Sequence, residues 1–200
     1  MEGCKLSSRM LDSRGNRESG WGEDEQRGGF DYIPPKGWKG FGLNVWNKYD
    51  NENNDWLAFD DNSNEWAVAY YGISCKLCPT VEQATKSIIK VGFKAGFGQA
   101  YENYKNDNER YQKGNSENDY SGRIGKGVYC SPDPYVMEQY ADYSSKKASA
   151  KGKEYLMGFM IRVKPDKIRY SNTRKDYWVL DGTTNEMRPY RILIKESKSE

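Results

Sequence analysis

Hydrophobic residues along this chain recur in two periods, helical and alternating, separated by polar stretches rich in Gly and Asn. The clearest helical pattern covers residues 80–90, where Thr80 and Gln83 form a capping box and Gly92 ends the pattern. Four apolar residues are predicted to share the buried face of this helix: Val81, Ala84, Ile88 and Val91.

A second helix is predicted after the sequence SPDP, with Asp133 as its cap and Pro134 in its first position. Its predicted inner face consists of five residues: Val136, Met137, Tyr140, Ala141 and Ser144.

The remaining hydrophobic runs are short and typical of strands. EWAVAYY predicts a buried strand ending at Gly72, and GKGVYC predicts a second, shorter one. Four further runs close the chain: EYLMGFMIRV, KIRY, DYWVLD and MRPYRILIK. Strand, helix, strand, helix and then a series of strands predicts an α+β domain.

Two N-terminal segments lack such a pattern. Residues 1–29 are polar and Gly-rich, which predicts a tail that cannot fold alone, unless it lies against another surface. Residues 30–64 interleave aromatic residues with Gly, Pro and Asn, as short strands and turns or an extended strap do.

Residues 98–125 predict a long polar loop, which is either functional or disordered. The domain itself is predicted at residues 65–196.

Composition narrows the classes of partner. Of the 200 residues, 36% are hydrophobic, 30% charged and 14% aromatic, which predicts a polar surface around a core rich in Tyr and Trp. The net charge of +2 argues against a nucleic-acid-binding domain. Residues 144–175 hold ten Lys or Arg and two acids, so they form either solvated edges and turns or a docking face for an acidic surface. Without a signal peptide or membrane span, we expect a soluble cytoplasmic protein with no membrane partner.

The cysteines do not indicate a metal site. Cys75 and Cys78 have the spacing of two zinc ligands, but the chain has no second such pair and no histidine. Two half-buried thiols are the default interpretation, a redox pair is an alternative, and no metal is expected.

Several motifs, taken in order, resemble one known family. YYG followed by a helix, GKGVYCSP followed by a helix, and then DYWVLDGTTNEMRPYRILIK are similar to the catalytic domain of poly(ADP-ribose) polymerases and their mono-ADP-ribosylating relatives. The similarity covers residues 66–195. It implies a split, two-sheet ADP-ribosyltransferase-like fold with an NAD-binding cleft defined by His, Tyr and Glu.

The resemblance assigns positions in this chain to that cleft. The family's His-Gly dipeptide corresponds to Tyr71 and Gly72, its triad tyrosine to Tyr129, its stacking tyrosine to Tyr140, and its glutamate to Asp176. Gly72 can still offer a backbone donor and acceptor to the nicotinamide amide, and Tyr129 and Tyr140 can still stack on a flat ring. Two tyrosines that simply belong to the core are the alternative.

Three departures weaken the implied chemistry. Tyr71 replaces the histidine that holds the adenosine ribose, and its larger ring is expected to fill the cleft. Asp176 is one methylene shorter than the glutamate that stabilises the developing cationic sugar, and a displacement of about 1 Å can slow a reaction about a hundredfold. Met137 or Glu138 replaces a serine that contacts nicotinamide, while Glu186 is a candidate substitute carboxylate that we expect at the surface.

The sequence therefore favours a catalytically degenerate domain that binds a protein partner in a larger intracellular assembly, with a ciliary microtubule as one specific version. In that case no cofactor is expected. The alternative is an active mono-ADP-ribosyltransferase that uses NAD, and a third hypothesis is a domain that binds NAD or ADP-ribose without turnover.

Overall fold

The computed structural model describes residues 6–22, 25–59, 64–73, 80–93, 127–142, 147–170 and 176–197. In these ranges the chain is α+β, as predicted, with more strand than helix. The strands and helices are β1 Glu25–Arg27, β2 Phe30–Tyr32, β3 Lys39–Gly42, β4 Ala67–Gly72, α1 Val81–Val91, β5 Val128–Cys130, α2 Pro134–Asp142, β6 Ala148–Ala150, β7 Lys153–Val163, β8 Arg169–Tyr170, β9 Trp178–Leu180 and β10 Met187–Glu196.

Two antiparallel sheets make up most of the fold. The larger has the order β3-β10-β7-β4, with β6 pairing with the beginning of β7, and the smaller has the order β5-β9-β8. A two-way bridge joins them: the Tyr70 amide donates to the Ser131 carbonyl over 2.7 Å, and the Ser131 amide donates to the Tyr70 carbonyl over 3.0 Å. The end of β4 is therefore the place where the two sheets meet.

Strand β7 is the centre of the core, since it is buried continuously from Leu156 to Val163. Continuous burial means that both faces of the sheet are covered, because successive side chains point to opposite faces. On one face, Phe93 after α1 packs against Phe159 of β7; on the other, Met137 of α2 packs over Gly158.

The predicted start of α1 is confirmed. Thr80 caps the helix by accepting a hydrogen bond from the Gln83 amide over 3.2 Å, and Gly92, with φ of 84°, follows its last turn. Asp133 likewise caps α2 by accepting from the Tyr135 amide over 2.8 Å. Both helices therefore begin at the side chains that the sequence indicates.

The predicted buried face of α1 is confirmed in part: Val81 is buried, and Ala84 and Ile88 are half-buried and pack against the core. The buried residues are Val81, Thr85 and Ile89, whereas Val91 is exposed. The Thr85 hydroxyl donates to the Val81 carbonyl over 2.8 Å, so this polar side chain can be buried with its hydrogen bond made inside the helix. In α2, Val136, Met137 and Ala141 are buried as predicted, Tyr140 is only half-buried, and Ser144 lies outside the described residues.

The N-terminal segment lies along the free edge of the larger sheet. Residues 6–22 follow β3, where Arg17 pairs with Gly40 through two backbone hydrogen bonds and Leu11 pairs with Leu43. This is the surface against which the polar segment is ordered. Because it satisfies backbone groups of an edge strand, it also shields that edge.

Buried Arg162 of β7 fixes the aromatic segment that precedes β4. Its guanidinium donates to Glu65 over 3.1 Å, to the carbonyls of Ala58 and Leu57 over 2.8 and 3.3 Å, and to the carbonyl of Trp66. The side chains of Arg162 and Glu65 have no exposed area. One strand residue thus holds several backbone groups far away in the sequence.

Two arginines of β10 act in the same way on other N-terminal segments. Arg188 makes a bidentate pair with Asp50 at 2.6 and 2.8 Å, and its guanidinium lies 4.3 Å from the ring centre of Trp66. Arg191 donates to the Gly15 carbonyl over 2.8 Å. Residues 6–22 and 25–59 are therefore attached to the central strands by buried or half-buried cations.

These contacts also change the interpretation of the basic stretch 144–175. Arg162 lies in the core and contributes to no surface, and three other cations are each paired with a carboxylate at 2.8 Å: Lys147 with Asp142, Lys153 with Glu196 and Arg169 with Asp181. The described part of this stretch does not form one free basic face.

We expect Glu65→Ala to destabilise the fold by about 3 to 5 kcal/mol, because it leaves the Arg162 guanidinium buried without its counter-charge. Urea unfolding monitored by Trp fluorescence measures the change. Glu196→Ala is the matched control, since it removes the partner of exposed Lys153 and should shift the midpoint little. Equal midpoints for the two variants would contradict the role given to Arg162.

Candidate functional site

The end of β4 directs a backbone donor and acceptor into the junction between the two sheets. The Ile73 amide donates to the Met157 carbonyl of β7, whereas Tyr70 pairs with Ser131 on the opposite side. Backbone groups alternate in direction along an antiparallel strand, so the N–H and C=O of Gly72 point to the same side as those of Tyr70. This is the donor-acceptor arrangement that an amide group requires.

Helix α2 packs directly on Gly72. A Cβ atom at this position would lie 2.5 Å from the Met137 carbonyl oxygen and 2.9 Å from the Cβ of Tyr140. A residue larger than Gly would therefore push α2 away from the sheet. The structure brings together two of the predicted binding residues, Gly72 and Tyr140.

Tyr129 and Asp176 belong to the smaller sheet and to the segment that leads into it. Tyr129 is the half-buried middle residue of β5, opposite Val179, and it stands two residues before the Ser131 bridge. Asp176 is half-buried and lies two residues before β9 begins at Trp178.

The residue after Asp176 connects it to α2. The ring of Tyr177 contacts the ring of Tyr140 edge to face, with ring centres 6.2 Å apart and a 72° angle between planes. Tyr140 therefore has one neighbour from the larger sheet, Gly72, and one from the approach to β9.

Tyr71 belongs to the opposite face of β4. Its ring packs edge to face on Phe93, with centres 5.0 Å apart, and Phe93 in turn contacts Phe159 at 6.0 Å. Because Tyr71 and Gly72 are adjacent in one strand, the Tyr71 side chain projects to the face opposite the one where α2 packs over Gly72. Tyr71 is thus a packing residue of the aromatic cluster beside α1.

Met137 and Glu138 make contacts within the described chain. Met137 is buried, and its sulfur would lie 2.6 Å from a Cβ atom at Gly158. Glu138 accepts two hydrogen bonds from Lys195, at 2.6 and 2.7 Å. Neither offers a free hydroxyl-like group to a ligand amide.

Glu186, the candidate substitute carboxylate, accepts a hydrogen bond from the Asp181 amide over 2.8 Å. It therefore stabilises the turn between β9 and β10. Glu186 is half-buried in this turn, and the contact gives it a structural role.

A cluster of buried tyrosines next to the site was not predicted. The Tyr70 hydroxyl donates to the Ile33 carbonyl over 2.5 Å, and the Tyr32 hydroxyl donates to the Trp21 carbonyl over 3.2 Å. Burial is the main reason why the pKa values of these tyrosines and of Tyr190 are raised. The pKa of Tyr32 rises from 10.0 to about 12. The alternation of Tyr70 and Tyr71 in the strand was the signal that one of them faces this cluster.

The described residues offer little for a metal or a reactive thiol. They contain no group of three or more His, Cys, Asp or Glu side chains placed to hold a metal ion. Burial raises the pKa of the Cys130 thiol, which disfavours its reactive thiolate form. Cys75 and Cys78 lie outside the described residues.

No protein-family model, curated protein or solved structure matches this chain. Within the ranges that the structure describes, no helix has the length and apolar character needed to cross a membrane.

We expect Gly158→Ala to destabilise the protein by about 1 to 3 kcal/mol through overpacking against the Met137 side chain and the Tyr71 carbonyl. Met137→Ala should destabilise it by about 2 to 5 kcal/mol through the cavity it leaves. The free energy of unfolding of the double variant should fall by less than the sum of the two single changes, because the shortened side chain at position 137 makes room for the new methyl group. Val136→Ala, one residue earlier in α2, should instead be additive with Gly158→Ala. Urea unfolding measures the free energies of both double variants. Additive effects of Gly158→Ala and Met137→Ala would contradict the packing described.

The raised tyrosine pKa values predict alkaline unfolding. A group whose pKa is higher in the folded than in the unfolded protein stabilises the fold while it is protonated. This stability is fully present below the pKa of the unfolded protein and is lost as the pH rises through the pKa of the folded protein. For Tyr32 this window runs from about pH 10 to about pH 12. Melting temperatures measured across it should fall less steeply in Tyr32→Phe than in the exposed control Tyr135→Phe, and parallel curves would contradict the prediction.

Proposed function

We propose that this chain is an ADP-ribosyltransferase-like domain that no longer transfers ADP-ribose and that acts by binding a protein partner in a larger intracellular assembly. One observation carries the proposal: the chain contains no histidine, and Tyr71, in the histidine's place, packs against Phe93. No shift of register can restore an imidazole to the site.

The arrangement around Gly72 supports the family part of the proposal. Two antiparallel sheets meet at β4, Gly72 directs an amide donor and acceptor into their junction, and Tyr140 lies beside it. Each of these features is what the sequence resemblance leads one to expect of a nicotinamide-binding cleft.

The loss of catalysis is supported by three positions. Tyr71 contributes its ring to an aromatic cluster, Asp176 carries a shorter side chain than Glu, and Met137 is part of the core. Transition-state stabilisation requires charges and donors held within a fraction of an ångström, so these changes act on the same step.

A protein partner is supported by exposed aromatic residues. Trp46, Phe59 and Tyr135 are 58%, 62% and 63% exposed, and large aromatic side chains are typical anchors of protein interfaces. The net charge of +2 suits a protein partner better than a nucleic acid. A cytoplasmic assembly such as the ciliary microtubule is one specific version of this proposal.

The contact between Gly72 and Tyr140 also favours a second candidate function, an active mono-ADP-ribosyltransferase. In that case Gly72, Tyr129 and Tyr140 bind the nicotinamide of NAD and Asp176 orients its ribose. Binding of NAD or ADP-ribose without turnover is the intermediate case.

We expect calorimetric titration of the purified chain with NAD to give no saturable heat, and labelled NAD to leave no label on protein above an Asp176→Ala control. The reason is that neither the imidazole nor the full-length carboxylate is present to hold the two riboses. The double variant Tyr71→His, Asp176→Glu tests the same pocket with both groups restored, and NAD binding by this variant alone would support a degenerate site. Label transfer by the wild type would overturn the non-catalytic proposal, and saturable heat without transfer would favour the intermediate case.

A further inference from the structure

A groove of about 260 Å³ lies between the N-terminal segment, the residues that follow β3 and the end of α1. It shares no residue with the junction around Gly72. Its apolar lining comes from four separate parts of the chain: Met10, Leu43, Val45, Ile89 and Pro189. A floor of this kind accepts an apolar side chain rather than a polar one.

The polar lining of the groove is entirely basic or neutral. Arg9, Lys48 and Lys90 are its charged residues, with Asn44 beside them and no acid. Lys48 is positioned by a 3.3 Å hydrogen bond from its ammonium group to the Ile89 carbonyl. Its charge is therefore fixed at the C-terminal end of α1.

Arg9 and Lys90 are surface cations for which the described chain shows no ion pair. Both are exposed, and neither forms an ion pair with any residue that the structure describes. Elsewhere Lys39, Lys147 and Lys153 each have a carboxylate within 4.0 Å. The groove thus concentrates positive charge for which the described chain supplies no counter-charge.

The wall that carries Arg9 is held in place by the sheet. The Asn44 amide donates to the Met10 carbonyl over 2.9 Å, and the Asn44 side chain donates to the Arg9 carbonyl over 3.3 Å. A groove with a fixed backbone loses less conformational freedom when a ligand binds.

We propose that this groove binds a short acidic segment of a partner protein. One large apolar side chain of that segment lies on the floor formed by Leu43, Val45 and Ile89, and its carboxylates pair with Arg9, Lys48 and Lys90. A nucleic acid fits less well, because the lining is aliphatic and offers no aromatic platform for stacking bases. The inference rests on the protein-binding part of the proposed function and names the chemistry of the partner.

Selection of random peptides displayed on phage against the purified full-length chain tests the proposal. Enriched peptides should carry several Asp or Glu residues next to a Leu, Phe or Trp. For the double variant Arg9→Glu, Lys90→Glu we expect binding of those peptides, measured by fluorescence anisotropy, to weaken by about tenfold or more, and wild-type binding to weaken as salt is raised.

Lys36→Glu, Lys151→Glu is the matched control, since both lysines are exposed, lie outside the groove and form no ion pair within the described chain. It makes the same change in net charge and should leave peptide binding unchanged. Val45→Asp tests the floor and should weaken binding while the acidic residues of the peptide stay available to Arg9. Circular dichroism confirms that each variant is folded.

Two results would overturn the proposal: no enrichment of acidic, apolar peptides, or equal loss of binding in the groove variant and the control. A single-stranded oligonucleotide that binds more tightly than the peptides and is released by Arg9→Glu, Lys90→Glu would assign the groove to nucleic acid instead. These outcomes are independent of the NAD experiments. Transfer of ADP-ribose by the wild type would overturn the loss of catalysis and leave the groove result standing.

Discussion

The buried guanidinium of Arg162 is the interaction on which the described fold depends. A permanent charge without exposed area must be neutralised and hydrogen-bonded, and it recruits Glu65 together with the carbonyls of Leu57, Ala58 and Trp66. The aromatic segment before β4 is thereby tied to the central strand of the larger sheet. Arg188 and Arg191 extend the same principle to residues nearer the N-terminus.

This attachment lets the N-terminal segments contribute to the proposed docking surface. Residues 6–22 close the edge of β3 and supply Arg9 and Met10 to the groove, so the proposed docking surface exists only while these segments stay attached. The junction around Gly72 depends on a different constraint, the close approach of α2 to β4 at a residue without a side chain. One domain therefore carries two candidate surfaces that share no residue.

The sequence predicted the local features of this arrangement and missed the long-range ones. The helix caps at Thr80 and Asp133 and the strand predicted after Glu65, which the structure places at Ala67–Gly72, are decided by neighbouring residues, and the structure confirms them. The predicted buried face of α1 omitted Thr85, because this residue is polar; it is buried because its hydroxyl donates its hydrogen bond within the helix. At the candidate site, Gly72 and Tyr140 lie in contact. The buried tyrosine cluster that includes Tyr70 had no signal in the sequence beyond strand alternation.

By itself, the sequence determined the α+β class, the starts of both described helices and the absence of any imidazole from the site, since these follow from composition and short-range pattern. Only the tertiary structure decided that Arg162, in a run of basic residues, is a core residue, and that Arg9 and Lys90 come together from the two sides of a groove. Burial and charge pairing are set by residues far apart along the chain. A count of charges in one segment therefore does not show which of them reach the surface.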